Sequence, residues 1–445
     1  MTSGPTAGRV MASDIDEALP TGRAGGLLGR IVNVRPGEVS AALWAFAWFF
    51  SLLTGYYVLR PIRDEMGIQG GVETLHWSFT ATFVVTLAVI PAWSALVQRL
   101  PRARAVPLVY RFFISNVLVF FLLFEAEVSR EWVARAFFVW LSVLNLLVVS
   151  VLWSVLADVF TSEQAKRLFG FVAAGGTAGT LVGPSLAIAL VSRLGVPGLL
   201  LVSAVLLEIA ARAAGRVAGR STAGAGPPGA GAPAAAAPVG GTIRSGIARV
   251  FRSPYLAAIA AHLVLFTLAS TFLYFTQARV VAQALGSAAS RIQLFAGLDL
   301  AVSLALLATQ VLATGRVMTG LGLGAALSVV PVITAAGFAV LAAAPSVIAI
   351  ATFQIVRRTA HFAFDRPARE VLFTVVTREE KYKSKAFIDT VVYRGGDAIG
   401  AWAQAGLAAA GLGVGALAGS AVPLAAGSLA LALWLASRQR RRERA

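Results

Sequence analysis

Three ionisable residues recur at four-residue intervals near the end of an apolar stretch: Arg357, His361 and Asp365, with Arg358 beside the first. Residues four apart lie on the same face of a helix, so this spacing aligns a cation, an imidazole and a carboxylate. The two guanidinium groups outnumber Asp365, and the surplus positive charge can bind an anion. The alternative is that these side chains only form ion pairs that hold neighbouring helices together.

A second group, Asp389, Tyr393 and Asp397, has the same four-residue spacing. Arg394 precedes Asp397 by three residues, so the two charges can neutralise each other on one helix face. For this group we expect internal ion pairing, and contact with a substrate is the alternative.

A third group joins aromatic rings to fixed cations: Tyr56, Tyr57, Arg60 and Arg63, followed by Asp64. Arginine binds phosphate through its planar fork, and an aromatic ring can stack on a base. This combination is typical of a site for a phosphate-bearing ligand. Tyrosine and arginine are also common at the depth of lipid headgroups, so an interfacial belt is the alternative interpretation.

Asp299 and Glu208 are single acidic residues within apolar runs. An ionisable group inside a membrane span costs about 2.5 to 3.5 kcal/mol on insertion scales, so it should face protein or water. Either acid can carry a proton; a basic neighbour or a position near an interface is the alternative. We interpret His262 as a packing histidine and expect Tyr274, about three turns further on, to border a cavity.

The elements that must position these residues are apolar stretches of membrane-spanning length. The chain is 58% hydrophobic and 13% charged, with mean hydropathy +0.77, which excludes a soluble globular protein. Backbone polar groups in lipid must be paired within their own segment, so such runs have to be helices. We predict an all-α membrane protein with twelve transmembrane helices, at residues 41–59, 77–97, 107–125, 134–157, 168–192, 197–215, 254–281, 292–314, 321–343, 346–365, 386–411 and 413–436.

Alternation of these spans from a cytoplasmic N-terminus places most of the 38 Lys and Arg residues on the cytoplasmic face, as the positive-inside rule requires. We therefore expect a multi-pass protein of a bacterial inner membrane with both termini in the cytoplasm. The predicted domains are a disordered tail, two six-helix bundles with a flexible Ala/Gly/Pro-rich linker between them, and a basic tail. In chain order they are residues 1–37, 38–215, 216–250 (the linker), 251–437 and 438–445.

The six-plus-six arrangement predicts a major facilitator-type fold, whose halves rock around a cavity at the membrane midplane. In that fold, helices 1 and 10 are related by inverted repeats. Their predicted ends have similar sequences, Arg60–Asp64 (RPIRD) and Arg366–Glu370 (RPARE), so we expect one basic-acidic device at each mouth of the cavity. Chance repetition in an arginine-rich chain is the alternative. In span 5, Gly175, Gly179 and Gly183 have the spacing that permits close contact with a neighbouring helix.

Composition also excludes several classes of function. The chain has no cysteine, which removes disulfides and thiolate chemistry, and its three histidines lack metal-ligand spacing. There is no Ser/His/Asp grouping and no phosphate-cradling loop, so we expect neither an enzyme nor a cofactor. The net charge of +17 is spread over loops between spans, which favours lipid headgroups over nucleic acid as a partner.

Several motifs resemble the bacterial ATP/ADP translocase-like family, also called NTP/NDP exchange transporters, which is a branch of the major facilitator superfamily. They lie in both halves of the chain, at residues 59–64 (LRPIRD), 163–169 (EQAKRLF), 364–370 (FDRPARE) and 385–389 (KAFID). The resemblance implies exchange of ATP and ADP, and another anionic metabolite is the alternative substrate. Characterised nucleotide carriers of the family have lysine where Arg63 and Arg369 stand, so charge is preserved while its geometry differs.

These observations predict an alternating-access carrier with a small anionic substrate, possible ATP or ADP binding and membrane lipids as partners, acting as a monomer without nucleic acid. The expected substrate contacts are Arg63, Arg357, Arg358, Arg369, Tyr56, Tyr57 and Tyr274. The residues expected to gate or couple transport are Arg60, Asp64, Asp365, Glu370, Asp389, Arg394 and Asp397. Two other classes stay open. One is a proton-coupled exporter of a lipid, drug or peptidoglycan fragment, using Asp299, Glu208 or Asp389; the other is a non-transporting scaffold or receptor.

Overall fold

A computed structural model describes residues 34–99, 102–223, 243–320 and 322–444. This part of the chain consists of helices and their connections and contains no β-strand. Most of the predicted N-terminal tail, up to residue 33, and the centre of the predicted linker, 224–242, lie outside the described residues.

The described helices follow the twelve predicted stretches, because backbone polar groups in an apolar run are satisfied only within the helix itself. We label them in chain order: α1 Val39–Gln69, α2 Leu75–Arg99, α3 Arg102–Glu125, α4 Arg130–Val159, α5 and α6 as the two arms of Ser162–Ala223, α7 Pro254–Ala284, α8 Ala288–Thr309, α9 Gly322–Ala343, α10 Val347–Ala360, α11 Arg378–Phe387 and α12 Val422–Glu443. Three of them continue through a π turn into a further helical segment, included under the same label: α8 through Gln310–Thr314 to Gly315–Gly320, α10 through His361–Asp365 to Arg366–Leu372, and α11 through Ile388–Val392 to Tyr393–Ala409.

Within the described ranges, nine helices are long and apolar enough to cross a membrane, and one of the nine contains both α5 and α6. The chain is therefore a multi-pass membrane protein. Helices α10 and α11, which contain many of the charged residues singled out above, are not among the nine. The count of twelve crossings stays a prediction.

The turn between α5 and α6 is made by one residue. Gly195 has φ 62° and ψ −170°, a backbone conformation that glycine adopts without steric strain. Pro197 follows two residues later, where its fixed φ suits the start of the next helix. The chain therefore reverses direction between α5 and α6 without a polar loop.

The two related motifs lie inside helices, whereas the sequence predicts that they follow helix ends. Helix α1 runs through Pro61 to Gln69, and burial of Leu59, Pro61 and Ile62 in the N-terminal core holds it together where one backbone hydrogen bond is missing. In α10 the π turn changes the hydrogen-bond register just before Pro367, so the helix continues past this proline to Leu372.

Each half of the molecule has its own apolar core. One core is built from α1 and α3–α6, and two further cores lie among the helices of the C-terminal half. A smaller cluster joins the halves, in which Leu75 and Phe138 of the first half pack against Phe275 and Ala401 of the second. The architecture is thus two helical bundles that meet over part of their facing surfaces.

Glycines bring α5 directly against α1. A Cβ added at Gly179 would lie 2.7 Å from the Phe50 carbonyl oxygen, and one at Gly183 would lie 2.6 Å from the Tyr57 Cβ. Gly175 has a similar contact with the backbone of α1. The glycine spacing noted in the sequence therefore serves close helix packing.

Helix also extends into the predicted linker and tail. The α6 arm continues to Ala223, a short helix spans Ile243–Arg252, and α12 runs to Glu443. Arg249 of the short helix lies 2.5 Å from Glu379 at the start of α11. Hydrogen bonding from Lys383, assisted by the charge of Arg249, lowers the pKa of Glu379. The short helix is thereby held against the C-terminal half.

A second ion pair lies at the start of α1. Arg167 at the start of α5 donates to both carboxylate oxygens of Glu38, at 2.8 and 2.9 Å. These hydrogen bonds lower the pKa of Glu38 to about 2. The first turns of α1 and α5 are therefore tied together.

Candidate functional site

A cavity of about 640 Å³ lies between the two halves, lined by α1, α2 and α4 on one side and α7, α8, α10 and α11 on the other. Its cationic residues outnumber its carboxylates. The cations are Arg60, Arg63, Arg357, Arg358, Arg366, Arg369, Lys385 and Arg394. The carboxylates are Asp64, Asp299, Glu370, Asp389 and Asp397. The cavity is therefore suited electrostatically to an anion.

Asp299 joins the two halves through a pair of arginines. Its Oδ1 lies 2.8 Å from Arg358 Nη2 and 3.4 Å from Arg60 Nη1, and the residue is 2% exposed. Arg60 belongs to the first half, and Asp299 and Arg358 belong to the second. Two guanidinium groups thus share one buried carboxylate, and Asp299 is not the isolated acid that the sequence indicates.

Arg63 is paired with its neighbour in the chain. Its Nε and Nη2 lie 3.0 and 2.6 Å from Asp64 Oδ1, and its guanidinium carbon lies 5.6 Å from the centre of the Phe138 ring. Tyr274 of α7 donates its hydroxyl to the same Asp64 oxygen at 3.2 Å. Asp64 therefore holds a cation of the first half and a tyrosine of the second, and Tyr274 borders the cavity as predicted.

Arg357 has only neutral hydrogen-bond partners. Its guanidinium donates to Thr334 Oγ1 at 2.9 Å, to Ser270 Oγ at 2.9 Å and to the Phe266 carbonyl at 3.2 Å, and the residue is 4% exposed. Its guanidinium carbon also lies 4.7 Å from the centre of the Phe266 ring. Among the described ion pairs none includes Arg357, so its positive charge has no carboxylate neighbour within 4 Å in this part of the chain.

The remaining ionisable residues of α10 form local pairs. His361 Nδ1 lies 3.0 Å from Asp365 Oδ2, and Arg369 Nε lies 3.5 Å from the same oxygen. Glu370 is half exposed and accepts from Lys385 at 2.6 Å. The stripe predicted from the four-residue spacing thus contains a His361–Asp365 contact, while Arg357 lies apart from it.

The α11 residues behave as the spacing predicts. Arg394 Nη1 lies 3.5 Å from Asp397 Oδ2, and Arg394 also donates to the Ser142 carbonyl of the first half at 3.2 Å. Asp389 and Tyr393 line the cavity. No ion pair of Asp389 is found in the described part of the chain.

Tyr56 and Tyr57 stand behind Arg60 and are not among the residues that line the cavity. Tyr56 is buried in the core of the first half, with its ring edge-on to Tyr57 at 5.5 Å. The Arg60 guanidinium lies 5.4 Å from the centre of the Tyr57 ring. The two rings therefore support a cavity arginine, whereas the sequence predicts that they contact the substrate.

Glu208 is a peripheral acid. It lies 2.9 Å from Arg212 and 3.7 Å from Arg111. Like Asp299, it has basic neighbours, which is the alternative considered for these acids above. Of the three proposed proton carriers, Asp389 alone lines the cavity without an ion pair among the described residues.

The cavity is closed where α1 ends and α8 begins, by residues that the sequence interpretation missed. Arg291 donates to both oxygens of Glu65 at 2.6 Å, and Glu65 is fully buried. Gln293 of α8 also donates to Ser192 of α5 at 3.0 Å. We call this the closed end. Trp402 donates to Thr80 at 3.0 Å in a further contact between the halves.

Glu65 and Arg291 were missed because the predicted spans end at residue 59 and begin at residue 292, which puts both in loops. The apolar residues Val58, Ile62 and Met66 continue at four-residue spacing beyond that boundary. This periodicity is the signal that could have extended the helix.

The opposite end of the cavity is lined by Arg366, Glu370 and Lys385. Arg366 and Glu370 are exposed, in contrast to the buried pair at the closed end. We call this the open end. It lies on the same side as the beginning of α1, because α1 runs from there toward the closed end.

Solved structures that resemble the chain are transporters. A bacterial homologue of the human lysosomal transporter Spinster, inward-facing and unoccupied, is 13% identical with TM-score 0.51, covering 92% of this chain and 98% of its own. A POT family transporter in complex with a thioalcohol-conjugated peptide is 11% identical with TM-score 0.61, covering 91% and 96%. The nucleoside transporter NupG is 14% identical with TM-score 0.53, covering 90% and 98%.

The chain has the major facilitator fold. Identities this low establish the fold alone. No family model matches the sequence, and no curated protein matches it. The similarity to NTP/NDP exchange transporters therefore rests on the sequence motifs.

Proposed function

We propose that this protein is an alternating-access carrier that exchanges anionic, phosphate-bearing metabolites, with adenine nucleotides such as ATP and ADP as the favoured substrates. The observation that supports this most directly is Arg357, a buried cavity guanidinium whose described partners are all neutral. A buried cation without a counter-charge is costly in a low-dielectric site. A substrate anion would complete the charge balance.

The sharing of Asp299 supports the same conclusion. One carboxylate faces both Arg60 and Arg358, so either guanidinium can turn to an anion while the other keeps Asp299 paired. Arginine forks match the oxygens of a phosphate in a bidentate arrangement. Several such forks around one cavity suit a ligand with more than one phosphate group.

Aromatic rings beside the cations support a nucleotide in particular. Phe79 and Phe138 line the cavity with Tyr274, whose ring centre lies 5.6 Å from Phe79 and 6.1 Å from Phe138. Exposed ring faces can stack a base in a sequence-tolerant way. We assign the base to this cluster and the phosphates to the arginines.

Exchange follows from the charge of the empty cavity. Without substrate, the rocking of the halves would move surplus positive charge through a low-dielectric barrier, which is unfavourable. An anion removes that surplus, so the loaded carrier should reorient faster than the empty one. One substrate would then return the carrier for the next.

The remaining features of the proposal come from the sequence. The positive-inside rule puts the open end in the cytoplasm of a bacterial cell, with the protein in the inner membrane. A single chain contains both halves of the cavity, so a monomer is sufficient. We assign no catalytic step and no cofactor to it.

Counterflow in proteoliposomes tests the proposal. Vesicles loaded with unlabelled ADP should take up labelled ATP, and Arg357→Ala should lose this uptake. Arg212→Ala is the matched control, because Arg212 is an exposed arginine on α6 outside the cavity. If ATP, ADP and other phosphate esters neither exchange nor raise the melting temperature of the purified protein, while a neutral or lipid ligand does, the proposal is wrong.

A further inference from the structure

Behind the cavity wall, two imidazoles contact different oxygens of one carboxylate. His361 Nδ1 lies 3.0 Å from Asp365 Oδ2, and His262 Nε2 of α7 lies 3.5 Å from Asp365 Oδ1. His361 lines the cavity, whereas Asp365 and His262 are each 1% exposed. The three side chains therefore form a row that leads from the cavity into the C-terminal half.

His262 has a hydrogen-bond partner ready for either protonation state. Ser428 of α12 places its carbonyl oxygen and its hydroxyl oxygen each 3.2 Å from His262 Nδ1. A protonated Nδ1 can donate to the carbonyl, and an unprotonated Nδ1 can accept from the hydroxyl. His262 can thus gain or lose a proton without leaving Nδ1 unsatisfied. Packing alone does not require this arrangement.

On the opposite side of the His262 ring, Nε2 faces Asp365 Oδ1, and each of these atoms needs the other as its hydrogen-bond partner. Neither His262 Nε2 nor Asp365 Oδ1 has a hydrogen-bond partner within the usual criteria among the described residues, and both are buried. A bare ring nitrogen facing a bare carboxylate oxygen would be repulsive, so a proton must lie between them. The histidines approach different carboxylate oxygens, and the described residues contain no metal-ligating group of three. The geometry is therefore that of a proton site.

The charged surroundings connect this site to substrate binding. Arg369 of α10 lies 3.5 Å from Asp365 and lines the cavity. Arg357 is the other nearby cation: its guanidinium carbon lies 4.7 Å from the centre of the Phe266 ring, which stacks on His361 at 4.3 Å. The nearby titratable groups of α11 are Tyr393 and Asp389, and Asp389 also interacts with Arg369. The nearest polar residue of α9 is Thr334, and that of α12 is Ser428; both are uncharged.

We propose that His262, Asp365 and His361 form a proton-binding site and that the protein takes up a proton when it binds its anionic substrate. A proton on either imidazole offsets the charge of Asp365 and weakens its attraction for Arg369. The Arg369 guanidinium is then free to pair with the anion. Proton and anion each favour binding of the other, because such coupling is reciprocal.

The proton comes from cavity water through His361 and returns to water when the carrier opens on the other side, so no co-reactant is consumed. The coupling to an anion rests on the proposed function, which assigns the phosphates to the cavity arginines, and Arg369 is one of these. Proton binding by the histidines does not, since it depends only on the row of side chains. The two parts can be tested separately.

Nuclear magnetic resonance can observe the two histidines of the site directly, because the chain contains three histidines and the third is His76. In ¹⁵N-histidine-labelled protein, the ring signals of the site, with those of His262 assigned through His262→Gln, should change as the pH is varied over the range in which the protein stays folded. If the rings of both His262 and His361 keep one tautomer and one charge over this range, the proton site is overturned. This result does not depend on the identity of the substrate.

Calorimetry of ATP binding in buffers of different ionisation enthalpy measures the coupling. Wild-type protein should take up about one proton per ATP bound beyond the titration of ATP itself. His262→Gln keeps an amide that can donate to Asp365 but cannot titrate, so it should bind ATP with less than half of that uptake. His76→Gln is the control and should match wild type. Equal proton uptake in all three proteins would contradict the coupling.

A second variant covers the case in which His262→Gln fails to fold. Asp365→Asn resembles the neutralised carboxylate, so ATP affinity should lose most of its pH dependence and stay close to the acidic wild-type value at alkaline pH. A pH dependence in Asp365→Asn equal to that of wild type would overturn the assignment. If wild-type protein binds no ATP but His262 still titrates, the nucleotide assignment fails while the proton site stands.

Discussion

The two related motifs, Arg60–Asp64 and Arg366–Glu370, lie toward opposite ends of one cavity, and their charged residues differ in exposure and in ion pairing. In Arg60–Asp64, both arginines have carboxylate partners, of which Asp299 is buried and Asp64 is partly buried, and the fully buried Glu65, paired with Arg291, follows immediately. In Arg366–Glu370, Arg366 and Glu370 are exposed, and Arg369 has its contact with Asp365 one turn back. The same residue types are therefore sealed at one mouth and open to water at the other.

This difference indicates how a repeated motif can serve alternating access. Both motifs contain an arginine that lines the cavity from within a helix, Arg63 and Arg369. The carboxylates that end the two motifs differ in burial, because Asp64 is partly buried and Glu370 is half exposed, so the pair at one end is enclosed while that at the other is open to exchange. We expect the opposite pattern when the carrier faces the other way, which extends our proposal of transport.

The largest effect on ATP binding should come from removing the equivalent arginines, Arg63 and Arg369. Arg63→Ala and Arg369→Ala should each weaken ATP binding by about 10- to 100-fold, since a hydrogen bond to a charged group contributes about 1.5 to 3 kcal/mol. Lysine at either position should restore part of this affinity, because it keeps the charge without the fork. Titration calorimetry measures the effect. If the two alanine variants differ widely, with one like wild type, the motifs are not equivalent.

A second prediction concerns access at the closed end. Loss of one partner of a buried ion pair destabilises that arrangement by about 3 to 5 kcal/mol, so Glu65→Gln should shift the protein toward opening there. Because the chain has no cysteine, Ile292→Cys, at a fully buried position next to Arg291, gives a single labelling site. Maleimide labelling of that site should rise at least about tenfold with Glu65→Gln.

The control for access is Glu73→Gln. Glu73 is largely exposed and lies 3.7 Å from Arg279, so its loss should leave labelling nearly unchanged. Equal labelling with Glu65→Gln and with Glu73→Gln would show that the buried pair does not hold the end closed.

A smaller difference is expected between substitutions of the two acidic residues that end the motifs, Asp64 and Glu370. Asp64 contacts Arg63 and Tyr274 in a partly buried site, whereas Glu370 pairs with Lys385 at the exposed mouth. Asp64→Asn should therefore slow counterflow more than Glu370→Gln, because exposed pairs contribute at most about 1 kcal/mol. Initial rates of ATP uptake decide the order, and a slower Glu370→Gln would reverse the comparison.

The smallest effect should come from a pair outside both motifs. The pKa of Glu38 is lowered to about 2 by Arg167, so its contribution to stability is present above the ordinary glutamate pKa and is lost as pH falls through the folded value. Glu38→Gln should lower the melting temperature by a few degrees at neutral pH. The difference from wild type should shrink toward pH 2, and a constant difference would contradict the assignment.

The sequence predicts the helices well and the polar partners only in part. Apolar runs require helix in lipid, so the stretches around Tyr56 and Tyr274 could be placed from hydropathy alone. The Arg394–Asp397 contact was also predictable, because it lies within one helix. Asp299 could not be paired in advance, since its two partners lie on other helices: Arg358 on α10 of the same half and Arg60 on α1, across the interface between the halves. The π turn at His361–Asp365 has no periodic signal of its own.

The way in which α1 packs on α5 has a consequence for the leakage of solutes past the binding site. Helix α1 is about 46 Å long at 1.5 Å per residue, and the same rod bears Arg60, Arg63 and Glu65 within two turns. The glycine contacts of α5 hold α1 only as far as Tyr57, and the next position where the helix lacks a backbone hydrogen bond is set by Pro61. Arg63 and Glu65 both follow Pro61, so a bend there would move both residues together, and the helix has no hinge between the barrier residue and this cavity cation.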